Sequence, residues 1–291
     1  MTLSRRRFLS ISAAFAATPL AAQAHSWQGH AFGADVSMTI RGRREEALAA
    51  LDAAQGLIVE VERQFSLYDP TSALSELNRT GILHAPSEQF IAMMQAADAA
   101  FTLTDGLFDP TVQPLWTAMS EGRDPQQAIK SIGWNRVQFE ADQITLAPDQ
   151  ALTFNGIAQG YATDLVSDVL IKLGLTDILV NIGEYRGNGG PWTLGVQDPV
   201  HGILATRTLK TGAIATSSPA ATPLGERGHI LHPQAQPRWS TVSVEAPRAT
   251  LADSLSTAMV LASRDKIEMI KDQTDVSRVT LVSFDGDLIT L

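Results

Sequence analysis

Ala151-Leu152-Thr153-Phe154-Asn155-Gly156-Ile157-Ala158-Gln159-Gly160-Tyr161 joins an apolar run to a helical stretch through two glycines. Residues 151–154 predict a strand, and residues 157–173, stopped by Gly174, predict a helix. The glycines let the backbone approach a ligand closely, and the N–H groups of a helix start suit an anion such as a pyrophosphate. The same strand–glycine–helix junction also serves as an ordinary structural joint. Its spacing is not the G-x-G-x-x-G dinucleotide fingerprint.

Outward from this junction, helices and strands alternate without the strict order of a parallel sheet. Upstream, residues 44–65 predict an amphipathic helix with Leu48, Leu51, Ile58, Val61 and Phe65 on its stripe. A second helix is predicted over 87–103, entered through Pro86-Ser87, and a short one over 125–132. Val137–Phe139 and Ile144–Leu146 predict a hairpin. Downstream come strands at Ile178–Ile182, Trp192–Val196, Thr206–Leu209, Ile214–Thr216, His229–Leu231 and Thr241–Glu245. Helices follow at 251–263 and 265–273, then a hairpin, Val279–Phe284 and Leu288–Leu291, turned at Asp285-Gly286. This pattern predicts an α+β fold, one compact unit of two lobes.

Composition narrows the function. The 291 residues are 44% hydrophobic and 18% charged, enough to bury a sizeable core. With 22 Lys+Arg against 31 Asp+Glu the net charge is −9, which argues against nucleic acid as a partner. The absence of cysteine excludes disulfides, thiolate metal sites and a cysteine nucleophile. Arg5-Arg6-Arg7, the apolar run from Phe8 to Ala21 and the small-x-small Ala22-Gln23-Ala24 predict an export signal over residues 1–24. The signal has the twin-arginine form, so a periplasmic location is expected. No other stretch approaches the length of a membrane span. Residues 25–291 are expected to form the functional unit.

Three further stretches can carry chemistry. Asp253 and Thr257, at i and i+4, share one helix face and offer oxygen ligands for Mg²⁺; an N-cap aspartate with a surface threonine reads the same way. His229 and His232 lie on opposite faces of an extended segment, so they do not share a metal. Either could move a proton, or one could be a hydrogen-bonded strand end and the other solvated. Phe65-Ser66-Leu67-Tyr68-Asp69-Pro70 and Gly106-Leu107-Phe108-Asp109-Pro110-Thr111 are turn-rich and aromatic. They suit stacking on a planar ring or simple helix exits.

In this order the segments resemble the ApbE family of FAD:protein FMN transferases. The resemblance runs from about Phe32 to Leu261. It rests on Phe65-Ser66-x-Tyr68-Asp69-Pro70, Phe108-Asp109-Pro110-Thr111-Val112, Gly156-Ile157-Ala158-Gln159-Gly160-Tyr161-Ala162-x-Asp164, Asn181-Ile182-Gly183-Glu184, Thr216-Ser217, His229-Ile230 and Ala252-Asp253-x-Leu255-x-Thr257. The chain departs from the family where Thr153 replaces Asp, Gln159 replaces Lys, and Gly183-Glu184-Tyr185-Arg186 replaces Gly-Gly-Glu or Gly-Gly-Asp. His232 stands where the family has Asp. The Asn-Gly-Ile-Ala-Gln-Gly-Tyr variant with a twin-arginine signal is similar to the NosX branch, tied to nitrous oxide reductase and to flavinylation of its membrane partner NosR.

The resemblance implies an ApbE-like two-lobed unit with mixed sheets flanked by helices. It implies that FAD is the FMN donor, that Mg²⁺ is the cofactor, and that a threonine or serine of a NosR-like acceptor is the target, with AMP released. Membrane contact would come only through the signal or the acceptor. Mg²⁺ ligands map onto Asp253, Thr257 and the carbonyl of Gly156. FAD contacts map onto Phe32, Tyr68, Leu107, Phe108, Asp109, Thr153, Gln159 and Ile230. His229 is the candidate base for the acceptor hydroxyl, or else a phosphate contact. The departures leave two alternatives: a non-catalytic FAD-binding maturation factor, and an FAD pyrophosphatase.

Overall fold

A computed structural model describes residues 23–224 and 228–291 of the chain. The signal expected at residues 1–24 therefore lies, as far as residue 22, outside the described residues.

The chain opens with β1 (Ala24–Ala31) and β2 (Ala34–Arg41), joined at Phe32 (φ 51°) and Gly33 (φ 71°). Two consecutive left-handed residues make the tight turn that matches strand twist. Three helices and a short strand follow: α1 (Arg44–Phe65), α2 (Ala73–Thr80), β3 (Ile82–His84) and α3 (Glu88–Leu103). Next come α4 (Gln113–Ser120), α5 (Pro125–Ser131), β4 (Gln138–Phe139), β5 (Gln143–Thr145), α6 (Ala158–Lys172), β6 (Ile178–Asn181) and β7 (Tyr185–Asn188). Then β8 (Trp192–Asp198), β9 (Gly202–Leu209), β10 (Gly212–Ser217) and β11 (Thr241–Ala246) precede α7 (Ala249–Met259), α8 (Arg264–Asp272), β12 (Arg278–Val282) and β13 (Leu288–Thr290).

The α+β architecture matches the expectation. The main sheet runs β1-β2-β6-β7-β10-β11-β12-β13 with antiparallel neighbours throughout. Two small antiparallel sheets, β3-β5-β4 and β8-β9, complete it. Apolar side chains gather in two main cores. One lies among α1, α3, α6 and the β2–β6 strands, and the other lies between α7–α8 and β10–β12. Helix α7 serves both, with Ala258 in the first and Leu255 and Met259 in the second.

Local chemistry explains the elements. Helix α1 has Glu45 and Glu46 in its first turn and Arg63 in its last, which complements the helix dipole. Its buried stripe is Ala47, Ala50, Leu51, Ala54, Ile58, Val61 and Phe65. Leu48 is expected on that stripe but is 48% exposed, because it follows Ala47 by one residue and so points about 100° away from the stripe's centre. In the first core the Phe65 ring lies 5.2 Å from Phe90, 5.7 Å from Phe154 and 6.0 Å from Tyr161, the last two edge-on. Each such pair contributes about 0.5–1.5 kcal/mol beyond burial. Phe154 and Tyr161 flank the glycine segment, so both its ends are pinned to the core.

Two expected strands are absent. Residues 151–154 join no sheet; a side chain takes the place of the neighbouring strand. Asn78 Nδ2 donates to Leu152 O at 2.8 Å, and Leu152 N donates to Asn78 Oδ1 at 2.7 Å. His229–Leu231 forms no ladder either: it follows Gly228 at φ 73°, and its backbone bond is His229 N to Pro219 O at 3.3 Å. Replacing Asn78 with alanine strands a buried N–H and C=O of Leu152. The expected loss is about 1–3 kcal/mol per group, read as a lower urea midpoint with unchanged slope.

Candidate functional site

The described residues enclose a cavity of about 180 Å³ between the start of α6, the middle of α7, the end of β10 and the segments 107–112 and 228–231. Of the residues singled out from sequence, Leu107, Phe108, Asp109, Thr153, Gly156, Gln159, His229, Ile230, Asp253 and Thr257 all line it. Phe32 and Tyr68 do not. They line an adjoining hollow of about 50 Å³, which shares Asn155 and Gln159 with the cavity. Tyr68 stands 66% exposed at the rim of that hollow.

The floor of the cavity is oxygen-rich. Asp253 is 3% exposed, and its Oδ2 accepts from Gly160 N at 2.9 Å. The N–H at the helix start therefore goes to a carboxylate of the chain itself, not to a ligand. The glycines have a related purpose. A Cβ on Gly160 would lie 2.3 Å from Ala249 O, and one on Gly156 would lie 2.9 Å from the Thr257 side chain. They let α6 and α7 approach each other. Gly160→Ala is expected to force the helices apart, at a cost of about 1–3 kcal/mol or more. A melting scan checks it, and a variant as stable as the parent would contradict the close crossing.

Thr257 Oγ1 lies 3.5 Å from Gly156 O and 3.2 Å from Ser217 Oγ. Hydrogen-bond direction follows from the partners. Ser256 Oγ donates to Asp253 O at 3.0 Å, since a carbonyl only accepts. Ser217, 2.7 Å from Ser256 Oγ, must then donate to it. Thr257 has Ser217 Oγ and Gly156 O left as acceptors for its proton, which leaves its lone pairs for a cation.

Glu184 was not among the site residues read from sequence. It lies buried on the same floor, with Thr216 N donating to its Oε2 at 3.0 Å. Burial pushes its carboxyl well above the usual range, the negative charge of Asp253 adds to that, and the Thr216 N–H only partly offsets it. Burial likewise pushes Asp253 up, against the Gly160 N–H, with Asp164 adding to the rise. Two desolvated carboxylates resist sharing negative charge, and a divalent cation is the natural relief. Among the described residues no cluster of three or more His, Cys, Asp or Glu could cage a metal alone. A carboxylate, a hydroxyl and a carbonyl fit Mg²⁺, which takes one or two carboxylates and completes its shell with water and phosphate. In the sequence Glu184 is marked only by its place in the Asn181-Ile182-Gly183-Glu184 stretch, which says nothing of its burial beside Asp253.

Four other residues have defined settings. Gln159 is 8% exposed and its Nε2 has no hydrogen-bond partner among the described residues, a buried donor held against Gly183. A donor that costs energy to leave unpaired suits an anionic or carbonyl oxygen of a ligand. His229 Nδ1 lies 3.1 Å from Pro219 O, so in the neutral ring Nδ1 carries the proton and Nε2 is the basic nitrogen. Asp109 Oδ1 accepts from Thr111 N at 2.8 Å and Thr111 Oγ1 at 2.5 Å, which commits one oxygen to its own turn. His232 lies outside the cavity wall. Its Nδ1 accepts from Gln234 N at 3.1 Å and Ala235 N at 3.0 Å, and burial lowers its pKa despite nearby Asp109. It is a turn residue.

An eight-stranded antiparallel sheet and two crossing helices define a protein with a ring-sized cavity over a floor of two buried carboxylates. The family is narrower still. The profile of the ApbE family matches residues 32–280, and the chain belongs to that family. It is 24% identical over 273 residues to a FAD:protein FMN transferase of Haemophilus influenzae, covering 81% of this chain and 79% of that one. It is 23% identical to the FAD:protein FMN transferase of Escherichia coli, covering 84% and 77%. Its fold is that of the ApbE protein of Thermotoga maritima (TM-score 0.81, 24% identity, 92% and 96% covered). It is likewise that of the flavin transferase ApbE of Vibrio cholerae (TM-score 0.80, 22% identity, 92% and 96% covered).

Proposed function

We propose that this protein is a Mg²⁺-dependent flavin transferase. It takes FAD, transfers FMN to a threonine or serine hydroxyl of an acceptor protein, and releases AMP. The observation that carries this reading is the meeting of Asp253, Thr257 and Gly156 O in a cavity that six of the eight expected flavin-contact residues also line. The activity borne by the relatives' names supports it.

Asp253, Thr257 and the Gly156 carbonyl would hold the cation. When bound, Mg²⁺ would neutralise charge on the pyrophosphate oxygens and polarise the phosphorus. Gln159 Nε2 donates to a phosphate oxygen, the neutral counterpart of the lysine usual in the family. His229 Nε2 accepts the proton of the acceptor hydroxyl as its oxygen bonds to the FMN phosphorus. The bond from that phosphorus to the bridging oxygen breaks, and AMP leaves with that oxygen. The apolar wall of Leu107, Phe108, Ile230 and Leu261 keeps water from competing as the nucleophile.

The Asn155–Tyr161 variant and the twin-arginine signal support a NosX-like role: a NosR-type membrane flavoprotein as acceptor, maturation of nitrous oxide reductase, and a periplasmic location. Among the described residues no helix is long and apolar enough to cross a membrane.

The test is mass spectrometry of a NosR-type acceptor fragment incubated with the protein, FAD and Mg²⁺. An acceptor heavier by one FMN phosphoester, with stoichiometric AMP, supports the reading. Free FMN plus AMP with an unmodified acceptor would make it a pyrophosphatase. FAD bound without AMP release would make it a maturation factor.

A further inference from the structure

A buried aspartate outside the cation site controls one wall of the cavity. Asp198, at the end of β8, is fully buried. Its Oδ1 accepts from Val200 N and His201 N, each at 2.8 Å. Its Oδ2 accepts from Ser240 Oγ at 2.6 Å and Thr241 Oγ1 at 2.7 Å. Four donors converge on one carboxylate, which uses the full accepting capacity of the ionised group.

This arrangement orders the hydroxyls beyond it. Thr241 has one proton, and it points at Asp198. Ser218 Oγ lies 2.6 Å from Thr241 Oγ1, so Ser218 must supply the proton of that bond. Ser218 is 2% exposed and lines the cavity. With its only proton committed inward, it can meet a ligand only as an acceptor. Burial opposes the charge on Asp198, but the Ser240 and Thr241 hydroxyls outweigh it and hold the pKa below the ordinary value.

We propose that Ser218, oriented by Asp198 through Thr241, selects a nitrogen-bound hydrogen on a ring of the bound nucleotide. This rests on the flavin-transferase reading. FAD carries two such groups, the flavin imide N–H and the adenine amino group, and both share the chemistry Ser218 demands. A ring edge that only accepts, or a methylated nitrogen, would face two lone pairs with no proton between them. Asp198 and Thr241 are positioning residues in this scheme, because neither needs to touch the ligand.

The experiment measures dissociation constants by titration calorimetry, without acceptor protein so that no turnover occurs. The probes are FAD, FAD methylated at the flavin imide nitrogen, and FAD carrying a dimethylated adenine amino group. Ser218→Ala is expected to weaken FAD about 3- to 10-fold, the range of one net hydrogen bond, and to leave one of the two analogues unweakened. That analogue identifies the end of the ligand at Ser218. Thr241→Ser is expected to keep the preference for FAD over that analogue. Thr241→Val frees the Ser218 proton and narrows it. Melting temperatures show that each variant is folded, and Thr241→Ala takes the place of Thr241→Val if that one is not. Unchanged FAD affinity in Ser218→Ala, or equal weakening of all three ligands, overturns the assignment to Ser218. Equal behaviour of the two folded Thr241 variants overturns the ordering by Asp198. A parent protein that binds no FAD overturns the flavin reading and this inference with it.

Discussion

Asp253→Ala is expected to abolish FMN transfer even when FAD and acceptor are saturating. The carboxylate is the charged ligand of the proposed cation site, and a metal supplies several kcal/mol of charge stabilisation in phosphoryl transfer. At 1.36 kcal/mol per decade, the loss is about a thousand-fold or more. The alanine variant also removes the acceptor that holds Gly160 N at 2.9 Å, so Asp253→Asn is the sharper change. It keeps an oxygen for that N–H and deletes only the charge. In the apo protein this charge is a burden, since it is buried and faces the like charge of Glu184. Asp253→Asn should therefore melt at or above the parent temperature without Mg²⁺. Mg²⁺ with FAD should raise the melting temperature of the parent and leave the variant where it was. Full transfer by the alanine variant, or equal stabilisation of both proteins, would remove Asp253 from the cation site. Loss of activity with gain of stability is the usual trade at a site held ready for charge.

Asp164→Ala is expected to cost about 3–5 kcal/mol, the loss on breaking a buried ion pair from one side. Against a total of about 5–15 kcal/mol for a folded protein, that approaches unfolding. Asp164 lies on α6 and is 1% exposed, yet its work is done on α7. Its Oδ1 accepts from Ala249 N at 3.0 Å, and its Oδ2 accepts from Thr250 N at 2.9 Å and Thr250 Oγ1 at 2.7 Å. It caps the neighbouring helix from outside, where Arg248, the residue at the cap position, offers no side-chain bond. Arg186 Nη1 meets Asp164 at 3.0 Å and Asp168 at 2.7 Å, and Arg248 meets the same two carboxylates at 3.2 and 2.8 Å. Urea unfolding measures the loss, and a midpoint within error of the parent would refute the role. The network also has a pH signature. Burial raises the pKa of Asp168, but Arg248 and Arg186 outweigh it and hold it below 3.8. A depressed carboxyl contributes stability above its unfolded value and loses it as pH falls through the folded one. Acid unfolding of Arg186→Met should accordingly begin at higher pH than that of the parent.

How much of this could be read in advance depended on the kind of signal. Helix α1 and the β12–β13 hairpin carry their periods and turns in adjacent residues, and both were legible. The β1–β2 hairpin went unread, although Ala34, Val36, Met38 and Ile40 alternate inward along β2. Its turn, Phe32-Gly33, lacks the Asn or Asp that usually marks a left-handed pair, and β1 is loaded with histidine and glutamine. Residues 151–154 have the composition of a strand, but Asn78 supplies the partner, and no local rule shows a side chain replacing a ladder. The site was legible where residues form motifs. Asp253, Thr257 and Gly156 came from spacing and resemblance. Glu184, Ser217 and Ser218 emerged only with burial and hydrogen-bond direction, properties of the assembled cavity.

The crossing of α6 and α7 has a consequence for the life of the chain before it is finished. The contacts that close the proposed cation site join residues 93 and 101 positions apart, Gly160 to Asp253 and Gly156 to Thr257. Closing loops of that length is slow and comes late in folding. During synthesis the first half of the site waits, with its glycines unfilled, until the segment beyond residue 249 has emerged and docked. On the proposed function, flavin and cation would recognise only the completed topology. Their binding would then report that both halves of the site have docked, and ligand-dependent protease resistance would time that assembly.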